Sequence, residues 1–109
     1  MRLTRRLAVA SAFCFLGGAA GAAELSWAGK YTFNWLKSPG KQRCIKIDAK
    51  LQSRLSSSEF RCKRDAGKTA SGHSVPSCER VAGGVEYLIF DTRAACENER
   101  KEQAANSEE

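Results

Sequence analysis

The sequence predicts a small α+β domain, in which an antiparallel sheet of three or four strands carries two helices on one face and is stapled by two disulfides. Three observations lead to this fold class. Apolar residues alternate with polar ones in several short segments, as in half-buried strands. Two other segments have the apolar spacing and capping residues of helices. Four cysteines lie 18, 16 and 18 residues apart in a short chain.

The first 23 residues have the organisation of a cleaved secretory signal peptide. Three arginines near the start precede an apolar run over 7–16, and Ala20-Gly21-Ala22 supplies a cleavage site of the A-x-A type. A retained membrane anchor is the less favoured alternative, because this run is shorter than the roughly 20 apolar residues of a spanning helix. We therefore expect one mature domain over 24–109, periplasmic or secreted and without a transmembrane segment.

The first strand is predicted over 30–36, "KYTFNWL", because its aromatic residues alternate with polar ones. A row of four rings is assigned to one face: Trp27, Tyr31, Phe33 and Trp35. A domain this small needs its largest apolar side chains in the core, so burial is the favoured interpretation. The alternative is an exposed row that stacks on sugars or anchors a protein partner. A short second strand is predicted over 43–47, "RCIKI".

The first helix is predicted over 49–57, "AKLQSRLSS". Asp48 can cap its N-terminus, and Ile47, Leu51 and Leu55 recur every four residues as one apolar stripe. A serine run follows and ends the helix.

The second half of the chain is predicted to contain a loop, a hairpin and a helix. Residues 63–77 are polar and rich in glycine and serine, and we expect them to form an exposed loop. "CERV" and "VEYLIF", joined through Ala82-Gly83-Gly84, predict a β-hairpin. Asp91-Thr92 supplies the cap of a helix over 93–106, and the tail from Asn106 to Glu109 is expected to fray.

Signal-peptide removal takes Cys14 away and leaves an even set of cysteines for two disulfides: Cys44, Cys62, Cys78 and Cys96. Such bridges would compensate for a small core, with about 3 kcal/mol for each loop of this length. Three connectivities are possible. The pairing of Cys44 with Cys62 and of Cys78 with Cys96, which we call adjacent pairing, is favoured because the last two cysteines flank the predicted hairpin and helix. A zinc site is the less favoured alternative, since no two cysteines form a C-x-x-C pair. The expected core comprises Trp27, Tyr31, Phe33, Trp35, Ile45, Ile47, Leu51, Leu55, Phe60, Val81, Val85, Tyr87, Leu88, Ile89 and Phe90.

Two motifs between the second and third mature cysteines are typical of enzymes. Gly67-Lys68-Thr69 matches the end of a phosphate-binding loop, but Cys62 stands where that loop has its first glycine. His73, the only histidine, has serines nearby, yet a mobile loop would not hold them at catalytic distances. We therefore expect no catalytic residue, no metal and no cofactor.

Charge is distributed asymmetrically along the chain. Ten basic residues against three acidic ones give a net charge of +7 between Lys37 and Lys68, whereas residues 79–109 carry a net charge of −4. If the two halves stay apart, the basic side should attract anionic partners; if they pack together, the charges neutralise each other. The predicted anion-binding surface comprises Lys46, Lys50, Arg54, Arg61, Lys63, Arg64 and Lys68.

Three functional hypotheses follow from these patterns. The first is a non-catalytic exported binding domain that engages an anionic envelope component or a protein partner, and not nucleic acid. The second is an inhibitor or immunity-type protein that blocks an enzyme through the exposed loop 63–77. The third is a small hydrolase that uses His73. Neither the ligand nor the oligomeric state follows from the sequence.

Overall fold

The computed structural model describes residues 26–107, so the predicted signal peptide lies outside the described residues. In chain order the elements are β1 (Tyr31–Asn34), a 3-10 turn (Pro39–Lys41), β2 (Ile45–Lys46), α1 (Ala49–Leu55), β3 (Phe60–Lys68), β4 (Ser74–Arg80), β5 (Glu86–Phe90) and α2 (Arg93–Ser107). Within the described part, neither helix has the length and apolar composition needed to cross a membrane.

The five strands form one antiparallel sheet in the order β2-β1-β5-β4-β3. The strands β3, β4 and β5 follow one another as a meander, and β1 pairs with β5 in a register that places Phe33 opposite Leu88. The sheet therefore has β2 at one edge and β3 at the other. The α+β class and the antiparallel sheet are confirmed, but the predicted three or four strands are one or two fewer than the five observed.

Alternation along β5 divides the apolar residues between the two faces of the sheet. Tyr87 and Ile89 contact one core cluster, whereas Leu88 and Phe90 contact the other. We call the first the α1-side core; it contains Trp27, Ile47, Leu55, Phe60, Cys78 and Ile89. The second is the α2-side core, which contains Phe33, Cys44, Leu88, Phe90 and Cys96.

The two helices lie on opposite faces of the sheet, which contradicts the prediction that both pack on one face. Leu55 of α1 is buried in the α1-side core, and Cys96 of α2 is buried in the α2-side core. Both predicted caps form: the Asp48 carboxylate accepts the Leu51 N–H at 2.8 Å, and the Thr92 hydroxyl accepts the Ala95 N–H at 3.1 Å. Amphipathicity shows that a helix covers a face, but not which one.

The prediction of an exposed loop over 63–77 is wrong. Residues 60–68 form β3, the longest strand of the sheet, and only 69–73 form the turn that leads into β4. Three consecutive residues of β3, between Lys63 and Gly67, bulge out of the ladder opposite β4. Most side chains of β3 are exposed because it is an edge strand, so its apolar pattern is weak.

The disulfides connect Cys44 to Cys96 and Cys62 to Cys78, so the favoured adjacent pairing is wrong. Cys62 and Cys78 are directly opposite each other on β3 and β4, with their Cα atoms 4.0 Å apart. The other bridge joins the segment before β2 to α2 across 52 residues of sequence. Each bridge lies in a different core, and therefore on a different face of the sheet.

The predicted core is largely correct but has three errors. Ile45 and Val81 are 46% and 57% exposed, so neither belongs to the core. Trp27 is buried in the α1-side core, whereas Tyr31, Phe33 and Trp35 contact the α2-side core, so the four rings do not share one face. At the C-terminus α2 continues through Ser107; residues 108 and 109 lie outside the described residues, and fraying of the tail stays a prediction.

Candidate functional site

The seven residues of the predicted basic surface do not form one patch. Lys50 and Arg54 lie on α1, and four further cations follow one another along β3: Arg61, Lys63, Arg64 and Lys68. Lys46 lies on β2 at the opposite edge of the sheet. Four strand spacings separate the two edges, which corresponds to about 19 Å.

Carboxylates are interspersed with the cations at the β3 edge. Arg54 forms an ion pair with Glu59 at 3.0 Å, and Arg61 lies directly opposite Glu79 in the sheet. The hydrogen bond between the Arg54 and Glu59 side chains is the main cause of both the lowered pKa of Glu59 and the raised pKa of Arg54. Asp65 is part of the bulge. The positive potential of this edge is therefore partly compensated by neighbouring acids.

A different group of cations surrounds a cleft of about 650 Å³. Its lining includes four basic residues: Lys37, Lys41, Arg43 and Arg80. The other lining residues are Phe33, Asn34, Ser38, Gln42, Ile45, Gly84, Val85 and Tyr87. Among residues 26–107, then, no acidic side chain lines this cleft, and no ion pair in the same range includes one of its four cations. We refer to it as the basic cleft.

One wall of the basic cleft is the segment 35–43, which two amides hold in shape. The Gln42 side chain accepts the Asn34 N–H at 3.1 Å and donates to the Asn34 carbonyl at 2.6 Å and to the Lys37 carbonyl. The Asn34 side chain in turn accepts the N–H groups of Leu36 and Glu86. These bonds satisfy the backbone of a segment that belongs to no sheet or α-helix, so its cations project from a fixed frame.

The helix α2 holds the same wall from outside the cleft, since none of its residues contributes to the lining. The Cys44–Cys96 disulfide follows directly after the segment, and the Arg100 guanidinium donates to the Pro39 carbonyl at 2.9 Å. Glu97 accepts the Cys44 N–H at 2.8 Å and forms an ion pair with Arg100 at 2.7 Å. The Cys44 N–H, and then Arg100, lower the pKa of the Glu97 carboxyl.

The opposite wall is the turn between β4 and β5. Gly83 and Gly84 have φ angles of 94° and 83°, in the left-handed region that glycine adopts without strain. The Arg80 Nε donates to the Gly83 carbonyl at 3.0 Å, so the turn fixes the guanidinium beside the cleft. Tyr87 follows on β5, opposite Asn34 in the register. Pairing of β1 with β5 is thus what brings Arg80 to face the segment 35–43.

The two motifs that suggested enzymes lie at the tip of the β3–β4 hairpin. Gly67 and Lys68 belong to β3, where Gly67 is buried against Leu88, and Thr69 begins the turn. His73 is exposed, with the Ser71 hydroxyl 3.3 Å from its Nδ1 atom. The turn is attached to α2, because the Ala70 N–H donates to the buried Glu99 carboxylate at 2.6 Å. Among the described residues no carboxylate hydrogen-bonds to His73, so within that part of the chain no acid orients the imidazole as in a catalytic triad.

The segment that the inhibitor hypothesis needs is therefore not a free loop. Most of 63–77 is paired sheet, and only the five-residue turn remains as an exposed tip.

The sequence contained a signal for only part of the basic cleft. Lys37, Lys41 and Arg43 belong to the segment of high positive charge, but Arg80 lies in the half of the chain with net negative charge. Charge counting along the chain placed the surface on the cations between Lys46 and Lys68, which lie on β2, α1 and β3, and it missed the cleft.

No protein-family model, curated protein or solved structure matches this chain. The class that the fold and site define is thus a disulfide-bonded helix–sheet–helix domain with a basic cleft.

Proposed function

We propose that this protein is a non-catalytic, exported binding domain that engages an anionic partner through the basic cleft. The observation that carries the proposal is the convergence of Lys37, Lys41, Arg43 and Arg80 on one concave surface whose lining contains no carboxylate.

Cations on one concave surface repel each other, which disfavours the compact state unless an anion binds between them. Most carboxylates of the described fold already have roles: Asp48 caps α1, Glu86 accepts the Trp35 indole N–H, and Asp91 pairs with Lys30. Glu97 and Glu99 hold the 35–43 segment and the hairpin tip, respectively. Arg80 has a structural bond to the Gly83 carbonyl and interacts with the charge of Glu59 outside the lining, whereas within residues 26–107 no ion pair includes Lys37, Lys41 or Arg43. A low-dielectric concave wall also strengthens the attraction of a bound anion relative to a flat surface.

Export is supported by the cysteine chemistry. All four mature cysteines are joined in disulfides, which persist in oxidising compartments such as the periplasm and the extracellular space. The signal peptide stays a prediction.

The proposal is tested by retention on immobilised polyphosphate, measured as the salt concentration that elutes the protein. Two variants that each remove four positive charges are compared. The cleft variant is K37Q/K41Q/R43Q/R80Q, and the matched β3 variant is R61Q/K63Q/R64Q/K68Q. Net charge falls equally in both, so any difference between them reports position rather than total charge.

The cleft variant should elute at much lower salt than the β3 variant, because counterion release depends on the cations that contact the polyanion. Circular dichroism checks that both variants fold. Equal elution of the two variants, or earlier elution of the β3 variant, would refute the assignment of binding to the cleft.

A further inference from the structure

Three large hydrophobic residues are exposed in the described part of the chain, and they lie in or next to the basic cleft. Ile45, 46% exposed, lines the cleft itself. Leu36, 47% exposed, belongs to the wall segment 35–43 and immediately precedes Lys37. Val81, 57% exposed, belongs to the turn that forms the opposite wall and immediately follows Arg80.

Single exposed aliphatic residues are ordinary, but their concentration around one cationic site is informative. The residues come from three separate segments, namely the segment after β1, the strand β2 and the β4–β5 turn. Hydrogen bonds from the Trp35 N–H to Glu86 and from the Arg80 N–H to Val85 place Leu36 and Val81 at the same end of the sheet. Surfaces that lie on membranes combine these two features, with cations at the lipid phosphates and apolar side chains at the boundary of the acyl region.

A soluble polyanion explains the cations but leaves the aliphatic residues without a role. A saccharide is also a poor candidate, because the aromatic rings of the lining pack against other rings and do not offer open faces for stacking. Phe33 is only 1% exposed and packs on Phe90, and the Tyr87 ring packs against Phe60 with centroids 5.8 Å apart. The side chains left to contact an apolar ligand are aliphatic, which suits hydrocarbon better than sugar faces.

We propose that the cleft end of the domain docks on an anionic lipid surface, with lipid phosphate groups at the basic cleft and Leu36, Ile45 and Val81 in the interfacial region. This inference rests on the proposed function and names its ligand class. The contacts that fix segment 35–43 keep the docking face ordered before binding, so little conformational entropy is lost on the membrane.

The test is co-sedimentation with vesicles of phosphatidylcholine containing a minor fraction of phosphatidylglycerol, with pure phosphatidylcholine vesicles as the neutral control. Mass spectrometry must first confirm that residues 1–23 are absent, because an uncleaved apolar segment would bind vesicles by itself. Wild type should partition onto the anionic vesicles and not onto the neutral ones. Each cation removed from the cleft should lower partitioning about fivefold, whereas the β3 variant should lose much less.

The variant L36S/V81S, which leaves every residue of the cleft lining intact, distinguishes the lipid surface from a soluble anion. It should lose tenfold or more in vesicle partitioning while its retention on polyphosphate stays close to that of wild type. If wild type is retained on polyphosphate through the cleft but does not bind anionic vesicles, the lipid assignment is overturned and the proposed function stands. Unchanged vesicle binding of the serine variant would likewise overturn the docking role of the aliphatic residues. Absence of cleft-dependent retention on polyphosphate would overturn both.

Discussion

The β3 edge and the basic cleft each carry four cations and are each secured by one disulfide, yet they differ in what surrounds the charges. Arg61, Lys63, Arg64 and Lys68 lie close together along one strand and have acids near them, Asp65 in the bulge and Glu79 opposite Arg61. The cations of the cleft come from two distant segments and have no acidic side chain in its lining. A high density of cations along the sequence therefore does not show where cations without acidic neighbours gather in the folded domain.

The two regions also differ in how well structure alone explains their charge. Lysine and arginine on an edge strand discourage pairing with the edge of another sheet, and the bulge between Lys63 and Gly67 has the same effect. The β3 cations thus have a structural use. In the cleft, Arg80 is bonded to the β4–β5 turn, but among residues 26–107 no ion pair includes Lys37, Lys41 or Arg43, which is why we assign binding to that region.

Replacement of each disulfide by serines should produce the largest effects and separate the two regions. In the chain-entropy treatment, C44S/C96S loses about 4 kcal/mol of unfolding free energy and C62S/C78S about 3 kcal/mol, because the first bridge closes the longer loop. Urea denaturation followed by circular dichroism measures both.

Only the first of these variants should also weaken retention on polyphosphate under conditions where the sheet remains folded, because Cys44 anchors the segment 35–43. If C62S/C78S weakened retention more than C44S/C96S, the disulfide next to the cleft would not be what orders it.

Gly67→Ala tests whether β3 packs as a strand. An added Cβ atom would lie 2.7 Å from Leu88 Cδ2, 3.0 Å from Ser77 Cβ and 3.1 Å from the Val75 carbonyl oxygen. Leu88 is fully buried and cannot move aside freely, so we expect a loss of about 1–3 kcal/mol in unfolding free energy. Lys63→Ala, at an exposed site of the same strand, is the matched control. A neutral Gly67→Ala variant would support a loop here instead of a strand.

Glu97→Gln tests the attachment of α2 to the cleft wall. It should lower unfolding free energy by about 1–2 kcal/mol at neutral pH, since charge-assisted bonds to the Cys44 N–H and Arg100 are lost. Because the folded-state pKa lies below the ordinary value of 4.5, the carboxylate's contribution is fully present above 4.5 and is lost as pH falls through the lowered pKa. The difference in unfolding free energy between wild type and variant should therefore disappear at acidic pH. A difference that persisted undiminished at the lowest pH would contradict the ionic origin of this contribution.

His73→Ala should have the smallest effect. The imidazole is exposed and its Nδ1 atom contacts only the Ser71 hydroxyl among the described side chains, so we expect unchanged stability, unchanged polyphosphate retention and unchanged background hydrolysis of a model ester. Loss of a measurable hydrolytic activity in this variant, but not in Thr69→Ala, would revive the hydrolase hypothesis.

Elements with a strong local pattern were predictable from the sequence. Alternation identified β1, the strand-forming residues after the Ala82-Gly83-Gly84 turn identified β5, and the caps at Asp48 and Thr92 located both helices. The strand β3 was not predicted because its stability comes from pairing with β4 and from a few buried contacts at Phe60 and Gly67, and its sequence has no apolar periodicity. Disulfide pairing and the faces chosen by the helices depend on tertiary contacts that no local pattern encodes.

The cleft could be predicted only in part for the same reason. Three of its cations lie within seven residues of one another and are visible in a charge count, but Arg80 joins them only because β1 pairs with β5. A prediction of strand order, rather than of charge alone, would have been needed to place it.

Binding of an anion at the basic cleft can be located directly by an amide NMR titration of the protein with soluble tripolyphosphate. We expect the largest chemical-shift changes at residues 37–43 and 80–85, the two walls of the basic cleft, and we expect them to saturate together. Changes that were largest along Arg61–Lys68, or that were small and uniform over all basic residues, would contradict binding at the cleft.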